Sequence, residues 1–391
     1  MWASGRGIAV PEAVIVEAVR TPIGKRNGAL AGVHPVDLSA LVLRELAART
    51  GIDPAVVDDV HWGCVGQLGD QSSNVGRFAV LAAGWPESVP AVTINRACGS
   101  SQQAVDYAAM AVLSGQQEVV VAGGIESMSR IPLGASRQSG EPYGATARNR
   151  YDGSDFNQLT GAELIARRWG FGRRQLDDFS AQSHERAAAA IDAGAFDTQI
   201  VAVPTEAGPV TVDQGLRRGT TADTLAGLKA VAGEDGLHHA GSSSQISDGA
   251  AAILITTPEK ARELGLTPIA RYVAGTVVGA DPVMVLTGPI PATQKLLART
   301  SLSIDDIGAF EVNEAFAAVP LAWLAETGAD PKRMNPVGGA IAVGHPLGAS
   351  GAILMTRLVN HLRDNGLRYG LQTMCEGGGT ANATLVELVD A

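Results

Sequence analysis

At Ile94-Asn-Arg-Ala-Cys98-Gly-Ser-Ser101 the chain passes from an apolar, strand-like run to a long helical one. The strand-like run extends from Ala91 to Ile94, and the helical pattern from Ser100 to Ser114. Cys98 is therefore predicted to lie at the N-terminus of a helix. The free N–H groups and the helix dipole at that position favour a thiolate over a thiol. The pattern indicates a cysteine that can act as a nucleophile.

Two further glycine-rich stretches carry residues that suit a nucleophilic cysteine. Gly344-His345-Pro-Leu-Gly-Ala-Ser-Gly351 opens a second helical run, from about Leu347 to Arg363. The unperturbed pKa of histidine lies near neutrality, so His345 is a natural base for a thiol. The third stretch, Cys375-Glu-Gly-Gly-Gly379, sets a second cysteine beside glycines, which let a backbone approach a ligand closely. A nucleophile and a base delivered from two helix starts are the arrangement expected for covalent acyl transfer.

The remaining cysteine and histidine patterns point to structure and not to chemistry. Cys64 lies in the strand-like Val60-His-Trp-Gly-Cys-Val65, which is typical of a small core residue. Three scattered cysteines without a CxxC pair favour a reducing compartment, no structural disulfide and no zinc site. His238 and His239 have no acidic or cysteine partner at metal-ligand spacing, so no metal is expected.

Composition limits the classes of function. The 391 residues are 46% hydrophobic and 18% charged, which is typical of a globular chain long enough for two domains. A formal net charge of −10 argues against nucleic acid or an anionic membrane as the main partner. No apolar run has the length of a membrane span, and the N-terminus lacks a signal pattern. A cytoplasmic enzyme fits these features.

The sequence also carries a faint internal duplication. Leu41 to Thr50 followed by Val56-Val-Asp-Asp-Val60 is repeated as Ala292 to Thr300 followed by Ile304-Asp-Asp-Ile307. In each half a glycine-rich turn, a long helix and an apolar strand follow. Alternating strands and helices predict two α/β halves with mainly parallel sheets.

A long insertion interrupts the first half. In the second half, the strand Leu371–Met374 is followed almost at once by a partner strand at 383–389, whereas the equivalent strand at 250–256 arrives much later. If the halves pack face to face, Cys98 and His345 occupy equivalent positions and meet. The predicted organisation has three parts, which are an N-terminal half (1–124 and 248–267), an inserted loop domain (125–247) and a C-terminal half (268–391).

Five motifs make the chain resemble the thiolases, the acyl-CoA C-acetyltransferases, from about residue 12 to 390. They are Cys98-Gly-Ser-Ser, Gly123-Gly-Ile-Glu-Ser-Met-Ser129, Asn313-Glu-Ala-Phe316, Gly344-His-Pro-Leu-Gly348 and Cys375-Glu-Gly-Gly-Gly379. The resemblance implies a duplicated α/β fold with a five-layered αβαβα core, a loop domain inserted in the N-terminal half, and an active site between the halves.

The resemblance also implies a role for each site residue. Cys98 would carry the acyl group, His345 would be its base, and Cys375 would move a proton at the acetyl carbon. Asn313 would hold a water beside His345 for one oxyanion site, although it could instead merely cap a helix that follows it directly. The backbone N–H groups of Gly377 and Cys98 would form the other oxyanion site.

Coenzyme A is expected as a substrate, with no separate cofactor. The resemblance places Ser244 against its pantetheine arm, Arg217 near its phosphates and Phe316 at the tunnel floor. From the residues alone, the pair Arg217-Arg218 suits a nucleotide phosphate but is also typical of a solvated basic turn. A homodimer or homotetramer is the expected assembly.

The favoured function is degradative 3-oxoacyl-CoA thiolysis through an acyl-Cys98 intermediate. The loop at 240–249 and Cys98-Gly-Ser-Ser-Gln-Gln resemble thiolases of long or bulky acyl chains, including sterol side chains. One alternative is an acetoacetyl-CoA thiolase that condenses two acetyl-CoA molecules. Two further alternatives are disfavoured. Decarboxylating condensing enzymes lack a thiol like Cys375. A non-catalytic thiolase-like lipid carrier does not need the intact motifs.

Two residues depart from the family pattern. The family often has glycine where this chain has Ser101, and small or apolar residues where it has Glu376. Neither change removes a catalytic group. Glu376 is expected to raise the pKa of the adjacent Cys375 thiol by like-charge repulsion.

Overall fold

A computed structural model describes residues 11–138 and 140–389. Its strands are Val14–Arg20 (β1), Gly24–Lys25 (β2), Asp59–Gly63 (β3), Ala91–Ile94 (β4), Val119–Ser127 (β5), Ser247–Thr256 (β6), Ala270–Gly279 (β7), Ala309–Val312 (β8), Tyr369–Glu376 (β9) and Thr380–Leu388 (β10). Its α-helices are Pro35–Thr50 (α1), Val75–Ala82 (α2), Ser100–Leu113 (α3), Gly144–Arg150 (α4), Gln158–Arg168 (α5), Arg173–Asp192 (α6), Ala222–Ala226 (α7), Pro258–Glu263 (α8), Pro289–Thr300 (α9), Ala318–Thr327 (α10), Ala340–Val343 (α11) and Ser350–Asn365 (α12).

The strands follow the order β4-β3-β5-β6-β1-β7-β10-β9-β8, with β2 paired to β6. This path consists of two half-sheets that join where β1 meets β7, over the short register Val14 with Arg271 and Ile15 with Ala270. The first half-sheet contains β4, β3, β5, β6 and β1. The second repeats its core as β8, β9, β10 and β7, and a parallel bridge between Phe310 and Met334 takes the place of the β3–β4 pairing. The predicted duplication is thus present in the fold.

Helices α3 and α12 pack against each other between the two half-sheets. Each also contacts both half-sheets: α3 packs on β5 and β10, and α12 packs on β6 and β9. On the outer faces, α1 and α2 cover the first half-sheet, and α9 covers β7 and β10 of the second. Helix α10 packs against α9. The layers therefore alternate as αβαβα, and the N-termini of α3 and α12 lie in the middle layer.

The prediction of mainly parallel sheets is wrong. Among the described strands, β3 pairs in parallel with β4 and β5, and β8 with β9, whereas the other pairings are antiparallel. The reason is visible in the second half, where residues 377–379 join β9 to β10. So short a connection permits only an antiparallel neighbour, because a parallel one needs a crossover. Gly378 and Gly379 make the turn at φ of 91° and 76°.

The long segment between β5 and β6 carries α4 to α7. Its two longest helices are α5 and α6. These helices pack on α10 and α11 of the second half. The exact domain boundaries remain a prediction. Within residues 11–138 and 140–389, no helix combines the length and apolarity that a membrane crossing needs.

Candidate active site

Cys98 sits on a tight bend between β4 and α3. Ala97 has φ of 44°, a left-handed conformation that is costly for a residue with a side chain. The bend is held by Ser100, whose Oγ accepts from the N–H of Arg96 (3.0 Å) and donates to the carbonyl of Ala97 (2.6 Å). Gly99 is the N-cap residue of α3. The predicted position of Cys98 at a helix start is confirmed.

The environment of Cys98 nevertheless favours a thiol at rest. Burial raises the pKa of Cys98 well above its usual range, and the nearby Cys375 and Glu376 raise it further. Backbone N–H groups of Gly377 and of Cys98 itself act in the opposite direction. The prediction that the helix start favours the thiolate is therefore wrong for the resting site, because loss of solvent outweighs these donors. A base is needed to remove the proton.

His345 is oriented by Ser350, the first residue of α12. The Oγ of Ser350 donates to the carbonyl of Pro346 (2.8 Å), so its 2.6 Å contact with Nδ1 of His345 is one in which Nδ1–H donates. This network assigns the Nδ1–H tautomer, so the lone pair of Nε2 is the acceptor and base. Burial lowers the pKa of His345 to about 4. At neutral pH the ring is thus an uncharged base, and its Nε2 lies beside Asn313.

Asn313 connects the histidine to the second thiol. Its Nδ2 lies 3.4 Å from Nε2 of His345, and its side chain also hydrogen bonds to the thiol of Cys375. Its Oδ1 is buried without a hydrogen-bond partner among the described residues. The helix-cap alternative is wrong, because the next helix begins at Ala318 and is not capped by Asn313.

Cys375 is the penultimate residue of β9 and is fully buried. Burial raises the pKa of its thiol to about 12, and the neighbouring Glu376 contributes in the same direction, as the sequence predicted. Hydrogen bonds from Asn313 and from backbone N–H groups oppose this rise. Cys375 is therefore a protonated thiol at neutral pH, and the two thiols are near enough for each thiolate to disfavour the other.

A cavity of about 510 Å³ opens onto Cys98 and Gly377. Its wall is mainly apolar and includes Leu133 and Phe156 from the inserted segment, and Phe316. Small ligand sites are typically cavities of this size with a few polar groups at one end. The cavity can therefore hold an apolar acyl group against the thiol of Cys98.

The residues expected to bind coenzyme A fall into two places. Phe316 lines the cavity at Cys98, and Ser244 lies beside it, with its N–H bonded to the carbonyl of Ala315 (2.9 Å). Arg217 instead lines a second cavity of about 530 Å³, together with Arg218 and His184. The fold brings Phe316 to the cavity at Cys98 with Ser244 next to Phe316, and it brings Arg217 to a separate polar cleft.

Sequence reasoning missed the carboxylates that hold the loop of His345. Glu314 accepts hydrogen bonds from the N–H of Ile341 (3.1 Å) and from Asn335, and Glu126 accepts from the N–H of Gly348 (2.8 Å). The loop is thus fixed on both sides of the histidine. Both glutamates lie inside the quoted motifs, but their contacts join distant segments, which sequence spacing does not reveal.

The paired histidines do have acidic neighbours, contrary to the expectation from spacing. His238 contacts Glu163 (3.2 Å) and His239 contacts Asp177 (2.5 Å), both through buried side chains. These carboxylates come from α5 and α6, more than sixty residues earlier in the chain. No group able to hold a metal ion is present in the described residues.

Comparison with known proteins places this site in a family. The N-terminal thiolase domain model matches residues 13–259, and the C-terminal thiolase domain model matches residues 266–388. The chain therefore belongs to the thiolase family, whose members include acyltransferases that act on acyl-CoA thioesters.

Particular relatives share nearly the whole chain. The steroid 3-ketoacyl-CoA thiolase FadA6 of Mycobacterium tuberculosis is 51% identical over 98% of this chain and 96% of its own length. A 3-ketoacyl-CoA thiolase of Erwinia tasmaniensis is 44% identical over 96% of this chain and 99% of its own length. The crystal structure of the Bacillus anthracis acetyl-CoA acetyltransferase superposes with a TM-score of 0.89 at 37% identity, over 97% of this chain and 100% of that one.

Proposed function

We propose that the protein is a degradative 3-oxoacyl-CoA thiolase that works through an acyl-Cys98 intermediate. One observation carries the proposal: two protonated thiols, Cys98 and Cys375, are neighbours where an apolar cavity opens onto Cys98. Asn313 links Cys375 to the uncharged imidazole of His345. Two thiols and one base are the groups that carbon–carbon cleavage by thiol addition requires.

The first half-reaction forms the acyl-enzyme. Nε2 of His345 takes the proton of Cys98, and the thiolate attacks the keto carbon of the substrate. The bond between the keto carbon and the α-carbon then breaks, and its electrons form the enolate of acetyl-CoA. Cys375 donates its proton to that carbon, and acetyl-CoA leaves. The N–H groups of Gly377 and Cys98 are suited to one developing oxyanion, and Asn313 with His345 to the other.

The second half-reaction restores every proton. The Cys375 thiolate takes the proton of an incoming CoA thiol, and the CoA thiolate attacks the acyl group on Cys98. The tetrahedral species collapses with Cys98 as leaving group, and Cys98 recovers its proton from His345. The products are acetyl-CoA and a shortened acyl-CoA, and no metal or redox cofactor is needed. Ser244 and Phe316 would position pantetheine, and Arg217 the phosphates.

Bulky, sterol-like acyl chains are the proposed substrates. Support comes from the apolar cavity beside Cys98, which extends to Leu133 and Phe156, and from the name of the relative that is 51% identical. The second candidate is acetoacetyl-CoA thiolase activity, which the likeness to an acetyl-CoA acetyltransferase favours.

The assembly and compartment are also proposals. A homodimer or homotetramer fits the sheet edge at β4, where Val92 is exposed next to exposed Phe78 and Leu81 of α2 and Tyr107 and Met110 of α3. An unpaired edge strand with apolar surroundings favours pairing with another chain. A cytoplasmic location fits three unpaired cysteines.

A substrate profile tests the proposed activity. Thiolysis of 3-oxoacyl-CoAs of rising length and bulk, from acetoacetyl-CoA to a sterol side-chain thioester, is followed by loss of the 3-oxoacyl-CoA and release of acetyl-CoA. We expect kcat/KM to be at least about tenfold higher for the bulky substrates, because burial of each added CH₂ contributes about 0.8 kcal/mol. A maximum at acetoacetyl-CoA would favour the second candidate, and no turnover of any of them would reject thiolysis.

A further inference from the structure

The carboxyl group of Glu376 lies close enough to both thiols to act on their charge. Its side chain is fully buried, and its Oε1 occupies the space that a Cβ on Gly99 would fill, 2.1 Å from that position. Glycine at the start of α3 therefore makes room for this carboxyl group. Glu376 is thus built into the site, although nothing in the proposed reaction uses it.

The hydrogen bonds around Glu376 suit a carboxyl group that carries a proton. Its Oε2 accepts from the hydroxyl of Thr380 (2.5 Å), but its Oε1 has no partner among the described residues. Asn382 donates through Nδ2 to the carbonyl of Gly99 (3.3 Å), and this leaves its Oδ1 unpartnered near the same place. A proton on Oε1 of Glu376 lets this atom donate to Oδ1 of Asn382, so both unpartnered oxygens are satisfied when Glu376 is protonated.

The charged groups around Glu376 do not neutralise its anion. Cys98 faces it from the bend before α3, Cys375 adjoins it on β9, and Asp106 interacts with it from within α3. Arg96 is the cation that interacts with the carboxylates of Glu376 and Asp106. It forms no direct ion pair with either of them in the described residues. Beyond Asp106 lie Tyr272 of β7 and Arg299 of α9. Burial raises the pKa of Glu376 to about 7, within the working range of a cytoplasmic enzyme.

We propose that Glu376 is a positioning residue that sets the charge around the thiols: its neutral carboxyl permits the Cys98 thiolate, and its ionisation suppresses that thiolate. The inference rests on the proposed function only in taking Cys98 as the reacting thiol. When Glu376 ionises, its proton leaves toward solvent, where a cavity of about 230 Å³ adjoins Arg96, Gln103 and Asp106. Reactivity of Cys98 then rises less steeply with pH above neutrality than it would beside an uncharged group.

The test is the rate of Cys98 alkylation by iodoacetamide at pH 6, pH 8 and pH 9, mapped by mass spectrometry. We expect Glu376→Gln to react at the wild-type rate at pH 6, where both side chains are neutral. At pH 9 we expect it to react on the order of tenfold faster, since removal of a close like charge lowers a thiol pKa by about one unit. Thr380→Val removes the donor that favours the carboxylate, so it should be faster than wild type at pH 8 and equal at pH 6.

Glu311→Gln is the matched control. Glu311 is also buried with a pKa raised to about 7, but it faces Arg357 of α12 and not the thiols. Its variant should keep the wild-type pH profile. The proposal is overturned if the alkylation rate of Glu376→Gln relative to wild type is the same at every pH and Thr380→Val reacts at the wild-type rate. If Glu376→Gln fails to fold by circular dichroism, Thr380→Val decides alone. Alkylation is measured without substrate, so an absence of thiolysis counts against the proposed function and not against this inference.

Discussion

Replacement of His345 by alanine is expected to lower kcat for thiolysis by at least about 10²- to 10³-fold while the fold is kept. In the proposed reaction, the buried Nε2 lone pair is the base for a thiol whose pKa is raised by burial, and the same ring stabilises an oxyanion with Asn313. Loss of a single oxyanion donor already costs on the order of 10²- to 10³-fold. The measurement is steady-state thiolysis with melting temperature as the check on folding.

His361→Ala is the matched control for this variant. His361 lies on the same helix as Ser350 and is partly buried, and Asn365 is the hydrogen-bond partner of its ring in the described residues. It should retain turnover within about twofold of wild type, as expected for a substitution away from the site. If His345→Ala keeps a tenth of wild-type turnover, its role as the base is wrong.

Replacement of Cys375 by serine is expected to separate the two kinds of chemistry at the site. Acetyl transfer from acetyl-CoA to Cys98 requires the nucleophile, His345 and the donors at Gly377, but no proton at the acetyl carbon. Cleavage and condensation require that proton, and a serine hydroxyl is far less acidic than a thiol. We therefore expect acetylation of Cys98 to persist, while thiolysis falls on the order of 10²- to 10⁴-fold, the usual contribution of an acid–base group.

Hydrogen exchange identifies the group that moves the proton. In deuterated water, the wild-type enzyme should exchange the methyl protons of acetyl-CoA, and Cys375→Ser should not. Glu376→Gln is the comparison variant, since its carboxylate is the other candidate base in contact with the site. Exchange that persists in Cys375→Ser and disappears in Glu376→Gln would mean that the second base has been misassigned.

Much of the central layer could be predicted from the sequence. The duplication placed Cys98 and His345 at equivalent helix starts, and α3 and α12 do pack against each other between the half-sheets. The predicted direction of the strands was wrong. Alternating strands and helices are typical of parallel sheets, whereas the three-residue connection before β10 permits only an antiparallel neighbour. That short connection is visible in the sequence. Because the halves are duplicated, an antiparallel pairing of β9 with β10 also predicts one of their equivalents, β5 and β6.

The finer features of the site depend on contacts between distant segments. The tautomer of His345 follows from the hydroxyl of Ser350, which donates to the carbonyl of Pro346. A pattern of residue types does not predict such a series of hydrogen bonds. The thiol character of Cys98 follows from burial, which a helix-dipole argument leaves out. Glu376 is recognisable as a neighbour of Cys375, but its contact with Gly99 joins segments that are far apart in the chain.

The central claim is that Cys98 carries the acyl group, and the most direct test is to locate that group. The enzyme is mixed briefly with a 3-oxoacyl-CoA in the absence of free CoA, quenched in acid and digested for mass spectrometry. The account predicts one shortened acyl group per chain, in thioester linkage to Cys98, and release of one acetyl-CoA. Cys64 is buried with a pKa raised by burial and by Glu126, and it should stay unmodified. An acyl group on Cys64 or Cys375, or acetyl-CoA release without any acyl-enzyme, would contradict the account.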